Sequence, residues 1–130
     1  MRLLRLPHLR ILPALTAIVI ALAACGASAR QKTVSTTLAV TNAAADAFVV
    51  YDQAHRTEIV TQAKTHEEGV AKLNDWDATT DKVQRDLTAA YKAIATAATL
   101  NDDPSLLGMI QAATIVKTEL ETLGILKGAK

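Results

Sequence analysis

Between residues 66 and 100 one spacing repeats without a miss: Leu73, Trp76, Thr80, Val83, Leu87, Ala90, Ile94 and Ala97 follow each other at steps of three and four. At 3.6 residues per turn those steps put all eight side chains on one side of a helix, as an a/d seam sustained over three heptads. A strand would need a period of two. The outer face carries Lys72, Asp75, Asp77, Asp81, Lys82, Gln84, Arg85 and Lys92, with Asp81 and Arg85 as a favourable i,i+4 pair. A seam of this length must be covered, and in a chain without strand patterning only other helices can cover it.

The flanking residues mark where this helix starts and stops. Thr65-His66-Glu67-Glu68 has the S/T-x-x-E form of a capping box, in which Thr65 accepts from first-turn amides and Glu68 reaches back to the Thr65 amide. The alternative is one continuous helix from 33 to 99. Asn101-Asp102-Asp103-Pro104 ends the helix and starts another, with Asp103 as N-cap and Pro104 at the first helical position. Leu106, Met109, Ala113, Val116, Leu120 and Leu123 then repeat the three-and-four spacing. Gly124 closes this helix, with Ile125 making the apolar contact of a Schellman end.

From Thr33 to Lys64 there is no Gly or Pro. Val34, Leu38, Ala45, Phe48, Ile59 and Ala63 form one apolar stripe, and Val40, Ala44, Ala47 and Tyr51 an adjoining one. The expected fold is all-α: an antiparallel three-helix bundle over about 33–64, 66–100 and 104–123, within a domain of 33–126. Its first two helices are longer than the third. The third helix is therefore too short to reach the far tip of the hairpin. Ile59, Val60, Leu73 and Trp76 fall on that two-helix stalk, where uncovered apolar surface would mark an interface for a protein partner or a second copy. The alternative is that the tip packs as a plain hairpin, or that the third helix slides toward it.

Residues 1–26 have a different character. Arg2, Arg5 and Arg10 precede an uncharged run, residues 11–24, that ends Leu22-Ala23-Ala24-Cys25-Gly26. A positive segment, an apolar segment and small residues before a cut are the layout of a secretory signal. The apolar run of 14 residues is short of the ~20 that a permanent span needs, and Pro13 weakens it further. Leu22 to Cys25 resembles the lipobox of bacterial lipoproteins. The resemblance covers residues 1–26 only. It implies a signal peptide over 1–24 that is cleaved, diacylation of the Cys25 thiol, and a short tether over 25–32. It also implies an exported, membrane-anchored protein. Gly26 in place of Asp favours the outer membrane, facing the periplasm, in a host that has one. An ordinary secretory signal would instead leave Cys25 as a free thiol. Cys25 is the chain's single cysteine, so no intramolecular disulfide can form.

Charge and composition narrow the function classes. Three of the 14 basic residues lie in the signal, leaving 11 against 13 acids from residue 25 onward. That balance, with one Trp, one Phe and two Tyr, argues against a nucleic-acid surface. There is no phosphate loop, no zinc spacing and no nucleophile elbow, so the expectation is a non-enzymatic protein without cofactor other than covalent lipid. The favoured function is a membrane-anchored helical module for protein–protein interaction or envelope structure. The alternative uses Asp52, His55 and Glu58, which share one face of the first helix, as metal or small-ligand donors in the bundle core. A known bundle site needs a second such pair from another helix, and the second helix offers no His in its seam. An Asp–His hydrogen bond in a polar layer is the simpler role for these residues.

Overall fold

The computed structural model describes residues 27–127, and the signal segment, Cys25 and residues 128–130 lie outside them. Three helices, α1 (Ala27–Gln62), α2 (His66–Leu100) and α3 (Asp103–Thr122), account for nearly all the described residues, and no strand occurs among those residues. They form a three-helix bundle of two rods of 36 and 35 residues, each just over 50 Å long, and a third of 20 residues, about 30 Å long.

α2 forms as its pattern predicts. Seven of the eight seam residues are buried, and Leu73 at the distal end is half-buried. Thr65 is the N-cap, its hydroxyl accepting from the Glu68 amide. The return bond of the capping box differs by one residue. Glu68 accepts from the Lys64 amide at 3.0 Å rather than from Thr65, because the chain turns back sharply before the cap. Asn101 ends α2 in the left-handed conformation at φ 50°, a position that Asn tolerates better than most side chains.

α3 starts one residue earlier than its sequence signal suggests. Asp102, not Asp103, is the N-cap, and its carboxylate accepts from the Ser105 amide at 2.8 Å. Asp102 is the residue in extended conformation, which leaves Asp103 and Pro104 inside the first turn. The far end is a Schellman motif as expected. The Ile125 amide bonds Leu120 O, the Gly124 amide bonds Glu121 O, and Gly124 sits at φ +75°. Ile125 and Leu126 fold onto the core there.

α1 departs most from expectation. It begins at Ala27, so residues 27–32 are helix and not tether. The small and basic residues of that stretch are good helix formers, and Arg30 fastens them to the bundle. Its guanidinium donates to Asn101 O at 3.0 Å and pairs with Asp103 at 2.9 Å. The buried edge of its first half is also not the Val34–Leu38 stripe. Thr33, Thr37 and Thr41 are buried instead, while Leu38 is exposed. Thr33 and Thr37 satisfy their hydroxyls on their own helix, at Ala29 O and Thr33 O, and so present methyls to their neighbours.

Two clusters make the core. One, around Ile94, Ala97, Leu106 and Met109, sits where α2 hands over to α3. The other joins all three helices through Phe48, Val83, Leu87, Ala90, Val116 and Leu120. Leu120 is fully buried, so Leu120→Ala is expected to cost about 3 kcal/mol in chemical denaturation, whereas exposed Leu107→Ala changes stability by less than about 0.5 kcal/mol.

The surface carboxylates predict how stability follows pH. Hydrogen bonds and charge from Lys72, and a bond from the Lys64 amide, hold Glu68 below the usual carboxylate range. Asp102 is held low by Ser105, and Asp86 first by its bond with Glu119 and then by Lys82. A carboxylate lowered in the fold contributes stability that is present above its unfolded pKa and lost as pH falls through the folded one. Glu119 works the other way, because burial raises it; its contribution is lost as pH rises through its folded pKa. With three groups against one, the thermal midpoint is expected to fall between about pH 5 and pH 2.5, measured by circular dichroism.

Candidate functional site

Beyond the end of α3, α1 and α2 continue as a two-helix stalk, and the polar and aromatic side chains collect there. Asp52 on α1 is the centre. Its Oδ1 accepts from the Trp76 indole N–H at 2.6 Å and from Arg56 Nε at 2.8 Å. Arg56 spans the two helices, with Nη2 2.6 Å from Asp77 and 3.5 Å from the Thr80 hydroxyl. Asp77 in turn raises the Arg56 guanidinium above its ordinary value, with Asp52 adding to it and partial burial opposing. The cation therefore stays charged between two carboxylates.

The rings stack on one side of this ion layer. His55 lies edge-on to Trp76, with centroids 4.5 Å apart, and parallel to Tyr51 at 5.5 Å. Tyr51 and Trp76 complete the group at 5.9 Å. Trp76 of α2 and Ile59 of α1 belong to one core cluster, with Tyr51 packed against it. Ile59 and Trp76 are consequently only 9% and 8% exposed. Most of their apolar area is spent inside the hairpin, which corrects their expected place on an uncovered apolar surface: only an edge of each reaches solvent. Leu73 is half-buried against the same cluster. Of the four expected interface residues only Val60 faces outward, at 61% exposed.

The expected ligand set is likewise redirected. Asp52, His55 and Glu58 do share a face, yet Asp52 is committed to Trp76 and Arg56, and the His55 Nδ1 to Glu58 distance is 3.7 Å. Among the described residues, no group of three or more His, Cys, Asp or Glu side chains comes together in a way that could hold a metal ion. Beside the cluster, Glu58, Lys72 and Asp75 rim a shallow groove of about 380 Å³ floored by Ile59 and Trp76, wide open to solvent.

A second ion cluster joins α2 to α3. Lys82 pairs with Glu119 across the helices and lies 3.3 Å from Asp86 on its own helix. Burial pushes the Glu119 carboxyl up, and Asp86 adds to it, while Asp86 itself is held low. Both clusters are internally paired and pin helix to helix. Spacing puts Asp77 on the outer face of α2, whereas the structure turns it half-buried toward Arg56 of α1, and no motif marks Arg56 or Glu119 as site residues. The Asp52–Arg56 spacing of four was the available signal, whereas the links to Asp77 and Glu119 depend on how the helices pack.

Comparison of the chain with protein-family models, with curated proteins and with solved structures finds no match.

The buried indole gives a direct test. Trp76 is the sole tryptophan, and Asp52→Ala removes the acceptor of its N–H while leaving Arg56 its contacts with Asp77 and Thr80. An unsatisfied buried donor costs about 1–3 kcal/mol, so Asp52→Ala is expected to destabilise by that amount and to shift Trp76 fluorescence, while Asp52→Asn retains most of both.

Proposed function

We propose that this chain is a bacterial lipoprotein whose helical bundle acts by binding and not by catalysis. The observation that carries the reading is Leu22-Ala23-Ala24-Cys25, placed at the end of a positive-then-apolar segment and holding the chain's one cysteine. Two or more acyl chains give stable attachment, since each buried CH₂ contributes about 0.8 kcal/mol. The partner at that end is membrane lipid. Gly26 favours the outer membrane, facing the periplasm, where the host has two membranes. Cys25 lies two residues before Ala27, where α1 begins, so the bundle follows the anchor with almost no spacer.

Binding is supported by the state of the polar groups. Asp52, Arg56 and Asp77, and separately Lys82, Asp86 and Glu119, neutralise one another and hold the helices together. Such pairs commit these six groups to holding helix against helix. A bundle braced in this way suits an envelope protein that presents a surface to another macromolecule.

Mass spectrometry of the membrane fraction is expected to find Cys25 acylated at the start of the mature chain. Cys25→Ser is expected either to release the protein from membranes or to leave the signal uncut. Unmodified Cys25 in soluble exported material would overturn the proposal.

A further inference from the structure

The turn between α2 and α3 carries apolar side chains that the bundle does not use. Leu100 is 58% exposed at the end of α2, and Leu107 is 52% exposed early in α3. Neither belongs to the core cluster of Ile94, Ala97, Leu106 and Met109 beside them. Between the two leucines the exposed residues are Asp103 and Pro104. Three of the four exposed positions from 100 to 107 are therefore apolar, and the fourth is neutralised, because Asp103 pairs with Arg30 of α1 at 2.9 Å. Charge is also uneven along the rod. Asp102 and Asp103 are the only acids in residues 27–41 and 90–115, the basal end of all three helices, where Arg30, Lys32 and Lys92 are the bases. Every other acid of the 13 lies farther from this end.

We infer that this turn seats the bundle on the membrane: Leu100, Pro104 and Leu107 enter the headgroup layer of the bilayer that holds Cys25, and the Trp76 end of the hairpin points away from it. The inference rests on the reading of Cys25 as a lipid anchor. What selects lipid as the occupant is the place of that anchor. Arg30 donates to Asn101 O at 3.0 Å, which puts it level with the turn. α1 begins at Ala27, three residues earlier and about 4.5 Å along the axis. Cys25 is two residues further, a reach of at most about 7 Å. Acyl chains on Cys25 thus hold the turn within about 12 Å of the anchor along the bundle axis, against a headgroup layer about 5–8 Å deep.

The chemistry of this end agrees with its position. A protein occupant would have to enter the narrow space between bundle and bilayer, whereas apolar side chains settle about 5–10 Å into the boundary of headgroups and acyl chains. The patch lies at one end of the rod and not along a side, so it suits a bundle that stands on the surface. Lipid phosphates meet exposed Lys32 and Lys92 there, and the Arg30–Asp103 pair enters without net charge.

The test uses the full chain, purified from whichever fraction holds it and reconstituted in phosphatidylcholine vesicles with or without bromine on the acyl chains, which quenches a nearby indole. Trp76 reports the far end of the native chain, and Leu107→Trp adds an indole at the turn. Position 107 is exposed, so helix content by circular dichroism is expected to stay unchanged. Native emission is expected to be equal in both kinds of vesicle, whereas Leu107→Trp loses most of its added emission in the brominated ones. Leu100→Asp in the Leu107→Trp chain is expected to return part of that loss. An indole at 107 that brominated lipid leaves untouched overturns the inference, whether a protein or only water covers the turn. Quenching of Trp76 in the native chain overturns it too, as does quenching at 107 that Leu100→Asp leaves intact, since the anchor alone then accounts for it. Mass spectrometry of the same preparation reads Cys25. An unquenched position 107 on a chain with acylated Cys25 overturns this inference alone, and a bare Cys25 overturns the anchor and this inference with it.

Discussion

The inward seam of α2 is the constraint on which the bundle depends. It is the part of the chain that serves both neighbours, since α1 and α3 close on it from two sides. Its composition grades along the rod. Ala90 and Ala97 are fully buried and let the helices approach closely at the base, where three rods must share the space. Trp76 stands at the other end, where two rods must fill it. A seam of uniform leucines would hold a uniform bundle, and it could not serve two helices at one end and one at the other.

The change from three rods to two is managed by chemistry rather than by length alone. Where α3 stops, its terminal Ile125 and Leu126 fold in, and above them the hairpin closes with rings and an ion layer. An ion layer on a hairpin contributes little when fully solvated, but Asp52 has only 24% of its side chain exposed, and its bond to an indole is directional. It fixes which turn of α1 faces which turn of α2. The distal half gains a defined register that two aliphatic stripes would leave loose.

What could be seen in the sequence follows from which level of structure decides each feature. The extent of α2 and the Schellman end of α3 are decided by local rules, and both were legible from spacing and from Thr65, Gly124 and Ile125. The all-α bundle followed from them. The beginning of α1 was not, because Ala27 to Lys32 suits both a tether and a helix, and the choice is made by Arg30 reaching a turn 71 residues away. The buried threonines were hidden for a related reason: Thr33 and Thr37 count as polar until their hydroxyls are bonded to their own helix. At the stalk, spacing correctly set Asp52 and His55 on one face. It could not show that Trp76 and Arg56 would occupy the carboxylate, nor that the rings would bury Ile59.

The threonine edge of α1 has a consequence for how the molecule comes apart. When the bundle is shut, Thr33, Thr37 and Thr41 offer methyl groups much as valines would. When it opens, the same residues turn hydroxyls to water, and the freshly bared strip is far less greasy than a valine strip of equal width. Thr41 lacks a hydrogen-bond partner for its hydroxyl in the closed form, so parting the helices there recovers a solvation that closure gave up. The strip that α1 buries at the base of the bundle is thus less apolar than its packing alone suggests, and any local opening there would bare hydroxyls beside the apolar cluster of Ile94, Leu106 and Met109.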